Sequence, residues 1–411
     1  MSDRKAIKPG DTSDQRITKQ GPMWRIGSLA AAKQVLLARR STKQAGFTAE
    51  YIPRDVFHHH PILISDGPQH DEQRRKVARF FAPNVVSSRY GELMHSVVDR
   101  LVGEAEEAGE FTVDQVALHY TVEVTASIVG LTHSPVAALS RRLEKFFRQP
   151  PLDRTKPRLG RTNRQWMMAA YKGLGPVVGL YLRDVLPAVR SRRRNPRRDV
   201  ISHLIEQGYN RADILVECVT YGTAGMVTTR EFITMACWHL LHNDALRQRY
   251  LVAGETERLA ILAEIIRLEP PVGHLYRRVT EDITVTDRDT VHQLHAGDLV
   301  DLDIRATNTD EDAFADEPQR LCPGRDRSRG VHDVGLSFGS GAHGCPGQPL
   351  ALRETDALLS SLLAKPVSIV SQPSISWDDL IEGYKVRGLK LRFEETSDPL
   401  PGGDRPGNGG E

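Results

Sequence analysis
The stretch LSFGSGAHGCPGQPLALRE, residues 336–354, decides how the rest of the chain is to be read. Cys345 stands in a loop crowded by Gly339, Gly341, Gly344 and Gly347, and the spacing of Leu350, Ala351, Ala357 and Leu358 predicts a helix directly after it. Without the Cβ atoms that glycine lacks, a flat ligand can approach such a thiol closely. The free N–H groups of the following helix start would favour its thiolate form. The plainest alternative is a glycine-rich surface turn around a small buried cysteine. Gly339-x-Gly341-x-x-Gly344 also spells a dinucleotide-binding fingerprint. Against that, Pro346 and Pro349 fall where its first helical turns should run, and no long alternation of strands and helices surrounds it.

Upstream, Glu264-Ile265-Ile266-Arg267 lies on a helical pattern stopped by Pro270 and Pro271. Strand-like runs follow at Tyr276–Val279, 283–285 and 299–302, and 383–393 reads as a closing hairpin. The segment Ala212–Asn243 is apolar almost all round, with Asn210 placed to cap it. About 30 helical residues span about 45 Å, so this helix crosses the middle of the protein. Glu217, Arg230 and Glu231 inside it argue against a membrane span, and interior Gly222 and Gly225 suggest close approach of a large ligand. Helices are also expected over 70–81, 85–108, 116–129 and 200–205, and within 23–37. Three adjacent histidines, His58 to His60, do not converge on one ion in regular structure and are not read as a metal site.

Composition is that of an ordinary globular protein: 411 residues, 39% hydrophobic, 26% charged. The four cysteines are too few and scattered for a disulfide framework, and the polar N-terminus carries neither a signal peptide nor an anchor, so a cytoplasmic protein is expected. Net charge is only +2, yet residues 141–198 hold 17 Lys and Arg against three acids. Such a run is usually a solvated face, but this imbalance would attract an acidic ligand or partner.

Phe338, Gly339, Gly341, His343, Cys345, Gly347, Leu350, Ala351 and Glu354 all fall on the haem-binding signature F-G-x-G-x-H-x-C-x-G…L-A-x-x-E, and the chain here resembles the cytochrome P-450 superfamily. Four further motifs follow that family's order. Asp66-Gly67-Pro68-x-His70-x-x-x-Arg74 resembles the helix passing the haem edge, which implies that His70 and Arg74 bond the haem propionates. Arg277 would be a third such contact. Ala224-Gly225-x-Val227-Thr228 resembles the oxygen-activating motif, which implies that Ala224 and Gly225 face the cofactor and that Thr228 helps deliver protons. Val227 departs from it, standing where the family has an acid. Glu264 and Arg267 match the structural E-x-x-R ion pair, and Asn308 to Phe314 resembles a family turn, with Thr309 and Glu311 as departures.

The resemblance implies a mostly α fold with a smaller β-rich part, in which one haem b lies between the long central helix and the Cys345 loop. Residues 17–394 would form the catalytic domain, between disordered tails at 1–16 and 395–411. Cys345 would be the iron ligand, with Phe338, Gly339, His343 and Gly347 around the cofactor. The expected activity is dioxygen-dependent oxidation of a small organic molecule in specialised metabolism, with electrons from a ferredoxin and its reductase. An alternative is oxidative aryl coupling or cross-linking of a peptide or carrier-bound substrate, motivated by Val227; a non-enzymatic haem or dinucleotide binder is a third. The basic region would roof the substrate channel, where it suits an acidic substrate or an acidic carrier protein. Neither nucleic acid nor a membrane is expected as a partner.

Overall fold
The computed structural model describes residues 2–8, 16–46, 50, 60–146, 152–154 and 156–394. Strands β1 (Ile17–Gln20) and β2 (Met23–Ile26) precede α1 (Leu29–Leu37) and β3 (Thr42–Gln44). Helices α2 (Gly67–Phe81) and α3 (Pro83–Ala108), strand β4 (Glu110–Thr112) and helices α4 (Val113–Val129) and α5 (Val136–Phe146) come next. A nearly continuous rod follows, α6 (Asn163–Leu180) and α7 (Leu186–Arg194) joined by a π-helical turn, then α8 (Val200–Glu206) and α9 (Arg211–Leu241). Beyond α10 (Asp244–Val252) and α11 (Glu255–Leu268) lie β5 (His274–Val279), β6 (Ile283–Asp287), β7 (Thr290–Leu294), β8 (Leu299–Asp303) and α12 (Ile304–Thr307). The chain closes through α13 (Gln348–Leu363), β9 (Val367–Ser371), β10 (Ser374–Asp378), β11 (Gly383–Arg387) and β12 (Lys390–Phe393). Among the described residues no helix is long and apolar enough to cross a membrane.

The long helix forms where its composition predicts, and the Asn210 side chain accepts the Asp213 N–H at its start. Its two interior glycines serve helix packing. A Cβ on Gly225 would stand 3.1 Å from Thr125 Oγ1 of α4, and one on Gly222 would stand 3.3 Å from Leu143 of α5. The sequence reading assigned that missing bulk to a ligand; the neighbouring helices occupy it instead. Arg230 and Glu231 inside α9 are neutralised from both sides, Arg230 by Glu144 of α5 at 2.6 Å and Glu231 by Arg387 of β11 at 2.7 Å.

The β-rich part is a five-stranded sheet in the order β1-β2-β8-β5-β3, with β2 and β8 parallel and the other pairs antiparallel. The hairpin expected over 383–393 does not form. β11 pairs with β10, whereas β12 pairs with β9 and β4 in another sheet. Gly388, at φ +81°, turns the chain between them, and the Leu389 carbonyl accepts from Val113 N at 2.9 Å. Residues 2–8, read from sequence as part of a tail, lie against the body: Ala6 is buried with Met235, Tyr384 and Val386.

One buried charge cluster connects the helical part to the cysteine loop. Glu264 and Arg267 pair twice on α11, at 2.7 and 2.8 Å. Arg267 also donates to the carbonyls of Asn308 and Pro318, and Arg325 adds a third contact to Glu264 at 2.9 Å. The E-x-x-R motif does not announce Arg325, whose Nη atoms reach the carbonyls of Ala315 and Arg320. All three side chains are at most 8% exposed. Removing one member leaves buried charge uncompensated, so Arg325→Ala should cost about 3–5 kcal/mol in urea unfolding. A loss below about 1 kcal/mol would show that the cluster does not hold this loop.

Candidate active site
The cysteine loop takes its shape from glycines at positive φ. Gly339 (φ +68°) and Gly341 (φ +69°) turn the chain, and a Cβ on Gly341 would stand 2.8 Å from the Leu36 carbonyl at the end of α1. Cys345 N donates to Phe338 O at 2.7 Å, which closes the loop beneath the start of α13. Pro349 lies in the first turn of that helix, where its missing N–H costs nothing. The dinucleotide reading fails here, since no strand precedes the loop.

Burial pushes the Cys345 thiol above its ordinary pKa, while the backbone N–H groups of Gly347 and Gln348 and the guanidinium of Arg74 favour its thiolate. The side chain is nonetheless exposed, so it borders a cleft inside the fold. Arg74 of α2 interacts electrostatically with both Cys345 and the Tyr221 hydroxyl of α9, which sets the loop, α2 and α9 around that cleft. On α9, otherwise buried through its middle, Ala224 is exposed and Thr228 half-buried one turn later. The Thr228 hydroxyl donates to the Ala224 carbonyl at 2.8 Å, the ordinary bond of a helical threonine. Val227 is buried in the core.

Two arginines and a buried histidine gather beside the loop. Arg74 Nη2 donates to the Gly344 carbonyl at 2.6 Å. Arg277 of β5, 4% exposed, donates to the Gln44 side chain and to the Tyr276 carbonyl, and burial brings its guanidinium down to about 10. Among the described residues no carboxylate forms an ion pair with either arginine. His70, 2% exposed, stacks on His343 with ring centroids 4.2 Å apart. Burial, then the neighbouring His343 and Arg74, lower its pKa to about 4. His343 bonds Asp66 at 3.1 Å, and Asp66 also accepts from Gln44 N. Buried guanidinium groups without counter-charge are costly unless an anion joins them.

Sequence reasoning missed Glu217. It lies on α9 one turn before Tyr221, buried, with Oε1 accepting from Ile62 N at 3.3 Å and Oε2 without a partner. Burial raises its pKa to about 7. Only its position inside an apolar helix marked it in the sequence. Also missed was a latch in which Arg154 donates to Glu382 at 2.9 Å and to the Leu380 carbonyl. Arg154, His274, Leu275, Tyr276 and Ile381 line a narrow pocket there. Of the three adjacent histidines only His60 is among the described residues, and among those residues no cluster of His, Cys, Asp and Glu could hold a metal ion.

The family model that matches this chain is that of cytochrome P450, over residues 259–365. Cytochrome P450 130 of Mycobacterium tuberculosis is 25% identical over 96% of this chain and 94% of its own. Erythromycin C-12 hydroxylase of Saccharopolyspora erythraea is 28% identical over 73% of this chain and 71% of its own. The crystal structure of CYP109B1 from Bacillus subtilis superposes with a TM-score of 0.75 at 19% identity, covering 92% of this chain and 96% of that one. With the order of its motifs, these similarities support the cytochrome P450 superfamily as the family of this chain, and the structural likeness gives it that fold. The same similarities support a cytochrome P450 oxidoreductase, a family that implies a haem–thiolate cofactor and redox partners.

Two buried groups here should pull stability in opposite directions with pH. His70, lowered to about 4, binds fewer protons folded than unfolded, so its contribution is lost as pH falls from about 6.5 to about 4. Glu217, raised to about 7, binds more protons folded, so its contribution is lost as pH rises from about 4.5 to about 7. In urea unfolding of the haem-free protein, His70→Gln should therefore flatten the acid-side loss and Glu217→Gln should steepen it. Identical slopes in both variants would contradict these environments.

Proposed function
We propose that this chain holds haem b through the Cys345 thiolate and uses dioxygen to hydroxylate a small organic molecule of specialised metabolism. The observation that carries this reading is the pairing of an exposed thiol under two backbone N–H groups with two arginines, Arg277 buried and Arg74 half-buried, that lack carboxylate partners among the described residues. That donor set fits a ligand presenting one soft metal site and two carboxylates at its edge. When bound, such a group supplies the activation of dioxygen and the oxidising power.

The residues of this chain would then act around it. Gly347 and Gln348 N–H groups hold the sulfur as thiolate, and Arg74 and Arg277 neutralise the carboxylates. His70 would take up a proton as those carboxylates arrive, since an adjacent anion favours the imidazolium. Ala224 leaves room for a flat face, and Phe338, Gly339 and His343 shape the other side. Thr228 would exchange its bond to the Ala224 carbonyl for one to a water or to substrate and pass a proton at Oγ1. Val227 carries no proton, so that proton reaches Thr228 from water or substrate. Electrons would come from a ferredoxin and its reductase. The relative named erythromycin C-12 hydroxylase supports the class of substrate.

Val227 also favours a second reading, oxidative coupling of aromatic rings or a peptide cross-link without oxygen insertion. Oxygen-18 separates them: label enters the product on hydroxylation and is absent after coupling.

The test of the proposal is the reduced, carbon monoxide-treated absorption spectrum. A strongly red-shifted Soret band that Cys345→Ala abolishes is expected, and persistence of the band in that variant would overturn the assignment. Thr228→Ala should raise the fraction of consumed oxygen that yields no product by about tenfold, in line with losing one proton donor. An unchanged ratio would remove Thr228 from the mechanism.

A further inference from the structure
The basic region separates into two populations. All three of its acids are consumed: Glu144 by Arg230 at 2.6 Å, Asp153 by Lys156 at 2.9 Å and Asp184 by Arg142 at 2.6 Å. Arg192 is buried and paired with Asp199, so it belongs to the scaffold, not to the surface expected from its place in a basic run. Arg141, Lys145, Arg164, Lys172 and Arg183 are exposed, and among the described residues no carboxylate pairs with them.

Arg164 and Lys172 lie on α6, which also carries an apolar stripe. Met167 (69% exposed), Tyr171 (82%), Leu174 (63%), Val178 (45%) and Leu182 (55%) follow one another at three- and four-residue intervals, with Met168 beside them. That spacing puts Met167 to Val178 on one face of α6, with Leu182 following in the π-helical turn beyond it, over about 22 Å in all. Arg164 precedes Met167 by three residues and so shares its face, and α6 carries no acid. Single exposed apolar side chains are ordinary, but a contiguous patch on a helix marks a binding surface. The helix packs on α5, which rests in turn on the middle of α9 through Leu143 at Gly222, beside Ala224.

We propose that this face of α6 docks an acidic carrier protein that brings the substrate to the cleft, a partner separate from the electron donor. The inference rests on the proposed oxidation and deepens it by naming how substrate arrives. Charge complementarity selects an acidic partner, because a surface left with cations alone steers anionic proteins and repels a second copy of itself. The composition selects a protein over a lipid surface. Tyr, Met and Arg are enriched in protein interfaces, methionine adapts to a partner's shape, and guanidinium groups pair with carboxylates through two bonds.

The haem-loaded enzyme should be titrated with a purified acidic acyl carrier protein at low and at high salt, and separately with vesicles containing anionic phosphatidylglycerol. Carrier binding that weakens with salt, and that falls by about tenfold or more in Tyr171→Glu and in Leu174→Glu, is expected. Both residues are solvent-exposed, so the thiolate spectrum and the rate of reduction by ferredoxin should stay unchanged. Absence of carrier binding at low salt, binding that both variants retain, or displacement of the carrier by ferredoxin would each overturn the proposal. So would vesicle binding or self-association that uses this face in place of the carrier. A variant or wild-type protein without the thiolate spectrum would instead count against the haem assignment.

Discussion
The fold depends on one buried carboxylate. Glu264 accepts from Arg267 on its own helix, and from Arg325 and the Cys322 N–H, so one side chain on α11 fixes two points along the segment that leads to Cys345. Arg267 extends that hold to the Asn308 carbonyl, and the Asn308 side chain receives the Leu336 N–H and donates to Ser337. A Cβ on Gly335 would collide with that same Asn308 side chain, so this turn needs glycine both for space and for its positive φ. A long irregular stretch is thereby given one shape without regular secondary structure. Its backbone groups are satisfied by charged side chains where strands or helices would otherwise do so.

A similar economy governs the cleft, with the sign of charge reversed. The chain gathers cations and leaves them short of anions: Arg277 and Arg74 are bound to carbonyl and amide oxygens. Asp66 is shared among His343, the Gln44 N–H and the field at Arg277. Burying guanidinium groups this way lowers stability unless a ligand compensates, which is the pattern of a binding site more than of a scaffold. The contrast with Arg267 is instructive, because that arginine is as buried as Arg277 and fully paired.

What could be read from the sequence followed from periodicity and from motifs whose order was informative. The long helix, its Asn210 cap and the pairing of Glu264 with Arg267 were legible, because helical spacing and three-residue separation are local properties. The pairing partners of 383–393 were not, since alternation says that a segment is a strand and not which sheet it joins. The roles of Gly225 and Gly341 were misjudged for a related reason. A glycine announces that something comes close, but only tertiary structure says whether it is a ligand, Thr125 of α4 or the Leu36 carbonyl. Arg325 carried no signal beyond its residue type, and Glu217 only its place inside an apolar helix, because each acts through contacts made across the fold.

The charge imbalance of residues 141–198 shows why a count is a weaker guide than an arrangement. Read as one basic run, it suggests a uniform attraction. In the structure its acids and several of its arginines are spent on holding α5, α7 and the connection at Arg154 in place. What remains is a smaller set of cations beside an apolar helix face, and those two features together have a meaning that neither has alone. Cations by themselves are most often solvated, and an apolar face by itself is most often buried. Side by side and both exposed, they cost the isolated protein solubility without stabilising its fold, and so point to a partner that covers them.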